Sequence, residues 1–268
     1  WSSDVCSSDL RTIRLPNKLI DLGTQRVSTN GGWRIYGGSS TTYTSTDILV
    51  SSGSELYMRS RNTQFSTTNL KPLTQHYQFL DGNSAVDFIP KLVEIASDSL
   101  LQNYGASNAF QVGETVIGTI QSNAGSTKTL IQFRVATPNH KYGPYNSPTK
   151  TYNINPYIRT ENLSSSYSSS SKVLNIDTYS LSEEAQGKYS GYLVKGMKLV
   201  GQTSGAIAYV KDLRLISDNY GDLIGCFFLK DPNTNPPPSV KISTGKKTYR
   251  LSSSSINTLP LPGSTLIS

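Results

Sequence analysis

From Asp47 onward the apolar residues come in short bursts: Ile48-Leu-Val50, Leu56-Tyr-Met58, Thr63 to Thr67, His76 to Leu80, Ala85 to Ile89 and Leu92 to Ile95. Each is bounded by Gly, Pro, Asn or Asp. Bursts this short and this regularly interrupted predict the strands of a sandwich or barrel. Residues 11–46 lack that rhythm. They hold turn signals at Asn30-Gly-Gly32 and Gly37-Gly38 and a Thr/Ser/Tyr-rich stretch from Ser39 to Thr46, which reads as an irregular arm. Helical periodicity is almost absent. The one short candidate is Leu181-Ser-Glu-Glu-Ala-Gln-Gly187, with Ser180 as N-cap and Gly187 just past its end.

One pattern occurs twice. Phe110-Gln-Val-Gly-Glu-Thr-Val-Ile-Gly-Thr119 aligns with Leu193-Val-Lys-Gly-Met-Lys-Leu-Val-Gly-Gln202, sharing an apolar start and the glycine pairs Gly113/Gly196 and Gly118/Gly201. Each copy reads as a tight turn feeding a strand. Lys128 to Thr137 supplies the return strand of the first copy. After the second, Thr203 to Val210, Leu213 to Ile216 and Leu223 to Leu229, with the turn Asp218-Asn-Tyr-Gly-Asp222, read as a hairpin or meander. Pro144 to Pro156 and the Ser164–Ser171 tract read as linker, an ordered Ser-rich strand being the alternative. Leu70-Lys-Pro-Leu-Thr-Gln-His-Tyr77 resembles the corner of fibronectin type III domains, where a Tyr hydroxyl ties back to the backbone. Here His76 stands in the Tyr position, so Tyr77 falls on the other face of its strand. The expectation is an all-β fold of two or three small β-sandwich or barrel-like domains in series. In it, 47–96 forms a fibronectin type III- or Ig-like domain, 97–155 the first repeat copy, 156–190 a Ser-rich linker and 191–268 the second copy.

Composition agrees with strands. The 40 Ser and 26 Thr make up about a quarter of the 268 residues, and hydroxyl side chains compete with the backbone inside helices while β-branching suits the pleat. No apolar run approaches the ~18 residues of a membrane-spanning helix. The opening decapeptide, Trp1-Ser-Ser-Asp-Val-Cys-Ser-Ser-Asp-Leu10, resembles a translated sequencing adapter and is set aside. Removing Asp4 and Asp9 lowers the acidic count from 18 to 16 against 25 basic residues, which moves the formal net charge from +7 to +9. Cys226 is then the one cysteine left, which excludes an intrachain disulfide and a thiolate zinc cluster. The basic residues are scattered. Arg11, Arg14 and Lys18, then Arg59 and Arg61, then Lys246, Lys247 and Arg250 are the closest groupings, without interleaved stacking aromatics. They read as solvated surface, the alternative being a polyanion-binding patch, which would include one for a negatively charged cell-surface glycan, and they make no specific nucleic-acid track.

Candidate chemistry is sparse. A hydrolase needs positioned carboxylates or a nucleophile, base and orienting acid. His76 and His140 lie far apart in sequence, with no nucleophile elbow or metal spacing near either. His140, in Pro138-Asn-His-Lys-Tyr-Gly-Pro144, reads as a turn histidine bonded locally. Cys226, in Leu223-Ile-Gly-Cys-Phe-Phe-Leu229, reads as a buried thiol. Glu183 and Glu184 are adjacent and would point apart. Asp218, Asp222 and Asp231 fit no calcium-loop spacing and read as turn formers. Among the 16 Tyr, those at 142, 145, 152, 157 and 167 sit among small polar residues, a composition of exposed β-surfaces and subunit contacts, and also of recognition surfaces. No catalytic, cofactor-binding or metal-ligating residue is assigned, and no cofactor is expected.

Several strings in order resemble one family. Leu56-Tyr-Met-Arg-Ser-Arg61, Asn69-Leu-Lys-Pro72 and Tyr77-Gln-Phe-Leu-Asp-Gly82 are followed by Phe133-Arg-Val-Ala-Thr-Pro-Asn-His-Lys-Tyr-Gly-Pro144 and by Ser168 to Thr178. Gly201-Gln-Thr-Ser-Gly-Ala206 and Thr244-Gly-Lys-Lys-Thr-Tyr-Arg-Leu251 complete the set. Together they resemble the virion structural proteins of marine T4-like cyanophages and relatives, from about residue 47 to the end. Two departures stand out: Leu80 replaces a usual Phe, and Leu73 a common Asn. The resemblance implies a non-enzymatic tail, baseplate or fibre component, located in the virion after assembly in the host cytoplasm. Its partners would be other virion proteins and itself, without membrane insertion. A receptor-binding fibre module recognising host-surface glycan is the alternative, and a tailspike-type glycan hydrolase or lyase a more distant one. Leu261-Pro-Gly-Ser-Thr-Leu-Ile-Ser268 resembles mid-protein sequence, so the chain is expected to be cut at both ends.

Overall fold

The computed structural model describes residues 60–84, 86–97, 105–121, 125–183, 188–231 and 245–257, together with the backbone of five short strands outside them. The chain forms two compact units, Trp1–Leu56 and Tyr57–Ser268. The first contains β1 (Thr12–Arg14), β2 (Arg26–Thr29), β3 (Gly32–Ile35) and β4 (Asp47–Leu49), with β1 paired to β4 and β2 to β3, both antiparallel. The segment read as an irregular arm therefore carries the β2–β3 ribbon and one strand of a second, whose other strand, β4, comes from the segment expected to begin the 47–96 domain. Each strand has only 3 or 4 residues, too few for alternation to register in a sequence window. The Asn30-Gly signal was the only trace of the β2–β3 ribbon. Residues 1–10 lie outside the described residues.

The second unit runs β5 (Arg61–Thr67), β6 (Gln75–Leu80), β7 (Asp87–Pro90), β8 (Leu92–Ala96), β9 (Thr115–Gln121), β10 (Thr127–Arg134), β11 (His140–Tyr142), β12 (Lys150–Thr151), β13 (Val173–Asn175), α1 (Thr178–Glu183), β14 (Ser190–Gly191), β15 (Lys198–Gly201), β16 (Ile207–Asp212), β17 (Leu215–Ile216), β18 (Leu223–Leu229), β19 (Tyr249–Ser252) and β20 (Leu266–Ile267). The fold is all-β, and α1 is the one helix among the described residues. Seven strands form an antiparallel sheet in the order β13-β8-β16-β15-β9-β10-β14. That sheet curls until its first strand meets the end of its sixth. Val135 bridges Ile176, Ala136 N–H donates to Asn175 O at 2.9 Å, and Asp177 N–H donates to Arg134 O at 3.0 Å. Its interior is filled by Val93, Ile95, Val116, Ile131, Phe133, Leu174, Met197, Leu199 and their neighbours. The sheets β5-β18-β7 and β17-β6-β19-β20 enclose a second core, in which the rings of Phe65, Phe227 and Tyr249 pack together with centroids 5.0–6.2 Å apart.

The repeat explains the centre of the large sheet. In each copy a turn with glycine at positive φ (Gly113 +86°, Gly196 +81°) precedes the strand. The same pair of bonds closes each turn: Gly113 N–H to Val135 O and Val135 N–H to Glu114 O in one, Gly196 N–H to Val210 O and Val210 N–H to Met197 O in the other. The two hairpins then pair with each other through β9 and β15. Ile117 stands opposite Val200, its own counterpart in the second copy. A local two-fold axis passes through that pair. It also accounts for Gly118 and Gly201: a Cβ on Gly118 would lie 2.5 Å from Met197 Sδ, and one on Gly201 would lie 2.7 Å from Glu114 Oε2. Each glycine makes room for the residue that follows the turn glycine of the other copy.

Other expectations change in three dimensions. The segments drawn as successive units share one sheet: β8 comes from 47–96, β9 and β10 from 97–155, β13 from 156–190, and β15 and β16 from 191–268. Local turn signals mark strand ends and carry no information about which strands pair at long range. The stretch read as a meander after Val210 serves three sheets instead, with β16 in the large sheet, β17 against β6, and β18 between β5 and β7. The Ser-rich linker is fastened by tyrosines. Tyr167 donates its hydroxyl to Ala136 O (2.7 Å) and accepts Asn175 N–H (2.9 Å), and the Tyr157 hydroxyl sits between the carbonyls of Leu92 and Arg214. The helix starts earlier than its expected cap. Asp177 caps it, accepting Ser180 N–H at 3.3 Å, and the Ser180 hydroxyl turns back to Asp177 O. Gly187 lies outside the described residues. At the fibronectin-like corner His76 is buried with Nδ1 2.8 Å from Thr74 O, while Tyr77 faces outward.

Candidate functional site

Where the curled sheet meets itself, a cleft of about 650 Å³ opens between the end of β10, the turn after β11 and the start of α1. Its walls are Arg134, Pro144, Tyr145, Asp177, Tyr179 and Ser180. The frame beneath is closely bonded. Thr137 donates both its N–H and its hydroxyl to Tyr145 O (2.9 and 2.8 Å), and Thr149 N–H donates to Tyr142 O (2.7 Å). Asn175, fully buried, donates its side-chain amide to Pro138 O and His140 O. The His140 Nε2 lies 2.8 Å from Gly143 O. Burial, with the charge of Lys91 added, pushes the His140 pKa down to about 4, so the ring is neutral at neutral pH.

The side chains on the cleft wall differ in exposure. The Arg134 guanidinium lies over two aromatic rings, 4.9 Å from the Tyr145 centroid and 5.2 Å from that of Tyr189, and it hydrogen-bonds the Tyr189 side chain. Tyr179 is 66% exposed, while Thr178, Ser180 and Leu181 around it on α1 are buried. Asp177 is buried, and the Lys91 ammonium beneath it donates to Ile176 O at 2.6 Å. Burial pulls Lys91 down to about 7, with the Asp177 charge opposing.

The other singled-out residues lie elsewhere. Cys226 is buried with Sγ 3.6 Å from Thr178 O, and burial pushes its thiol well up, away from the reactive thiolate form. Asp218 and Asp222 do converge, but on the Lys141 ammonium, with Asp222 Oδ2 at 2.5 Å. The rings of Tyr142, Tyr152 and Tyr220 stand 5.4–5.9 Å from that nitrogen. Burial works against the charge on Lys141, yet the two carboxylates win and raise its pKa. A second convergence, Glu94 and Asp212, also surrounds a cation, Arg214. Carboxylates held around a cation are ion-pair anchors, unlike the water-flanked acid and base of a glycosidase. Asp231 donates its backbone N–H to Ser60, apart from the Asp218 and Asp222 pair. No group of three or more His, Cys, Asp or Glu suited to a metal occurs among the described residues. Glu184 and the side chain of Glu183 lie outside them.

Of the tyrosines expected at the surface, Tyr152 is buried and Tyr157 and Tyr167 turn their hydroxyls inward. Tyr142 and Tyr145 are half-buried, and Tyr145 alone of these joins the cleft. Sequence reasoning missed Arg134, Asp177 and Tyr179 as a group. One signal was readable: Asp177 three residues before Ser180 is a helix-start pattern, and it places Tyr179 in a first turn. No helix among the described residues is long and apolar enough to cross a membrane. No protein-family model matches the chain, and neither a curated protein nor a solved structure does.

Proposed function

We propose that this chain is part of a non-enzymatic structural component of a tailed-phage virion, in its tail, baseplate or fibre apparatus. One observation carries the reading. The strings that resemble cyanophage virion proteins are far apart in sequence yet meet in pairs. Residues of 133–144 bond those of 168–178 through Asp177 N–H to Arg134 O and Asn175 Nδ2 to His140 O. Residues of 77–82 bond those of 244–251 through Asp81 N–H to Thr248 O, Thr248 N–H to Asp81 Oδ1, and the Lys247–Asp81 ion pair. A resemblance made of mutually contacting parts is a resemblance to an interlocked whole. The two convergences of carboxylates described above each enclose a cation, which favours a static role over turnover.

The test uses the full chain. Sedimentation should show concentration-dependent association with itself, and immunogold labelling with antibodies to the chain should mark the tails of marine cyanophage particles. Bacterial surface polysaccharide should remain undegraded. Turnover that disappears when one Asp or Glu is replaced, or gold that never decorates tails, would overturn the assignment. The alternative, glycan recognition at a virion surface, has one observation in its favour, the tyrosine-walled cleft.

A further inference from the structure

We propose that the seam where the curled sheet closes on itself is opened by acid, with the buried neighbours Lys91 and His140 as the two bases that sense the proton. The inference does not depend on the chain being a virion part. Closure rests on few bonds: the Val135–Ile176 bridge, Ala136 N–H to Asn175 O, Asp177 N–H to Arg134 O, and the Asn175 amide to Pro138 O and His140 O. Both bases are wired into it. Lys91 accepts Ile176 N–H on its own carbonyl (3.0 Å) and donates through Nζ to Ile176 O (2.6 Å). His140 offers its own carbonyl to the Asn175 amide (2.7 Å), and its ring fixes the following turn at Gly143 O. Each of the two residues is 3% exposed.

Charge balance at the seam gives the direction. The ionisable groups facing the pair are Asp177 at the start of α1 and Cys226 on β18, and burial keeps that thiol neutral. Tyr152 and Tyr157, which share a small cavity with Lys91, are buried phenols with raised pKa values, and Arg214 on the same cavity is paired with Glu94 and Asp212. Lys141 turns its ammonium to Asp218 and Asp222, and Arg134 lies over Tyr145 and Tyr189. Two bases thus share one carboxylate, Asp177. One proton on the pair is balanced, whereas a second leaves an uncompensated positive charge in the core. Burial first, then the Lys91 charge, hold His140 at about 4, although the Gly143 and Pro144 carbonyls and Asp177 favour the charged ring. In an opened seam the ring meets water and returns to its usual ~6.5. Between those values the open form holds the His140 proton and the closed form does not, so opening becomes easier as pH falls. Lys91, already charged across most of that window, is the like charge that keeps the proton off the closed form.

Hydrogen exchange read by mass spectrometry on the full chain tests this, with rates corrected for the intrinsic effect of pH. Amides of 133–144 and 172–178 should open about 20-fold more at pH 5 than at pH 7, the ratio set by a histidine at about 4 when closed and ~6.5 when open. Those of β9 and β15, at the centre of the same sheet, should hold constant. His140→Gln keeps a donor for Gly143 O but does not titrate, and should cut the rise to about twofold. In proton NMR the His140 ring, told from His76 by a His76→Gln variant, should titrate near 4 in the parent and higher in Lys91→Met, where the like charge is gone. A seam that opens no more at pH 5, opening that spreads equally to β9 and β15, a rise that survives His140→Gln, or a His140 midpoint unmoved by Lys91→Met would each overturn the proposal. If either variant fails to fold, the parent's exchange profile and its His140 midpoint, near 4 if the proposal holds and near 6.5 if it does not, still decide it. None of these results bears on association with tails.

Discussion

Gly118 tests whether the two repeat copies are locked together as the local two-fold axis implies. A Cβ placed there would lie 2.5 Å from Ile131 Cγ2, 2.5 Å from Met197 Sδ and 3.3 Å from Leu199 Cδ2. All three neighbours are buried in the main core. Carbon contacts settle at roughly 3.5–4.0 Å, so two neighbours must each retreat by about 1 Å. Overpacking of this kind costs about 1–3 kcal/mol. Gly118 does not have positive φ, so alanine also brings a gain of up to about 1 kcal/mol from the unfolded chain. Gly118→Ala should therefore destabilise by about 1–2 kcal/mol. Met197→Ala removes a fully buried side chain and should cost about 2–5 kcal/mol. In the double variant the new methyl enters the space that Met197 leaves, so the combined loss should fall short of the sum by about 1 kcal/mol or more. Urea unfolding of the four proteins, with m values held constant, gives the cycle. A neutral or stabilising Gly118→Ala, or strict additivity in the double variant, would refute the close approach.

Leu73 sits at φ +48°, a left-handed conformation costly for a residue with a bulky side chain and tolerated by Asn. Leu73→Asn should raise stability by about 1 kcal/mol, read as a higher melting temperature, and a lower one would show that the Leu side chain contributes more than its backbone costs. Replacing Lys141 by Met strands the buried carboxylate of Asp218 and the partly buried one of Asp222 and should cost about 3–5 kcal/mol. Adding Asp218→Asn and Asp222→Asn should restore much of that loss in a thermal melt, and no recovery would mean that the ion cluster is not what the substitution breaks. Lys91 titrates near 7 in the fold against ~10.4 in an unfolded chain. Between those values the unfolded state holds more protons, so stability rises with pH across that window. Lys91→Met should be more stable than the parent at pH 7, and the gap should narrow by on the order of 3 kcal/mol by pH 9.5. A gap that stays constant with pH would mean that Lys91 is charged in the fold.

The strand content was legible because it is local. Short apolar bursts between turn residues become β5 through β8, and the duplicated glycine pattern becomes two hairpins with matching turns. What escaped was pairing. β18 lies between β5 and β7, strands more than a hundred residues earlier, and a turn signal cannot name a partner at that distance. The Ser-rich stretch misled for a different reason. Its composition suits a solvated linker, yet one hydroxyl each on Tyr157 and Tyr167 bonds two backbone groups. Such bonds satisfy buried carbonyls that would otherwise go unpaired.

The site escaped because none of its parts is unusual by itself. Arg134 ends a strand, Asp177 caps a helix, and Tyr179 is one tyrosine among 16. Only closure of the sheet through Val135 and Ile176 sets them around one cleft. Of the carboxylates that the sequence singles out, Asp218 and Asp222 are committed to Lys141, while Glu94 and Asp212, which no sequence pattern marks, are committed to Arg214. A charge committed to a buried partner fixes two segments in register, and in doing so gives up the free protonation that acid–base chemistry requires.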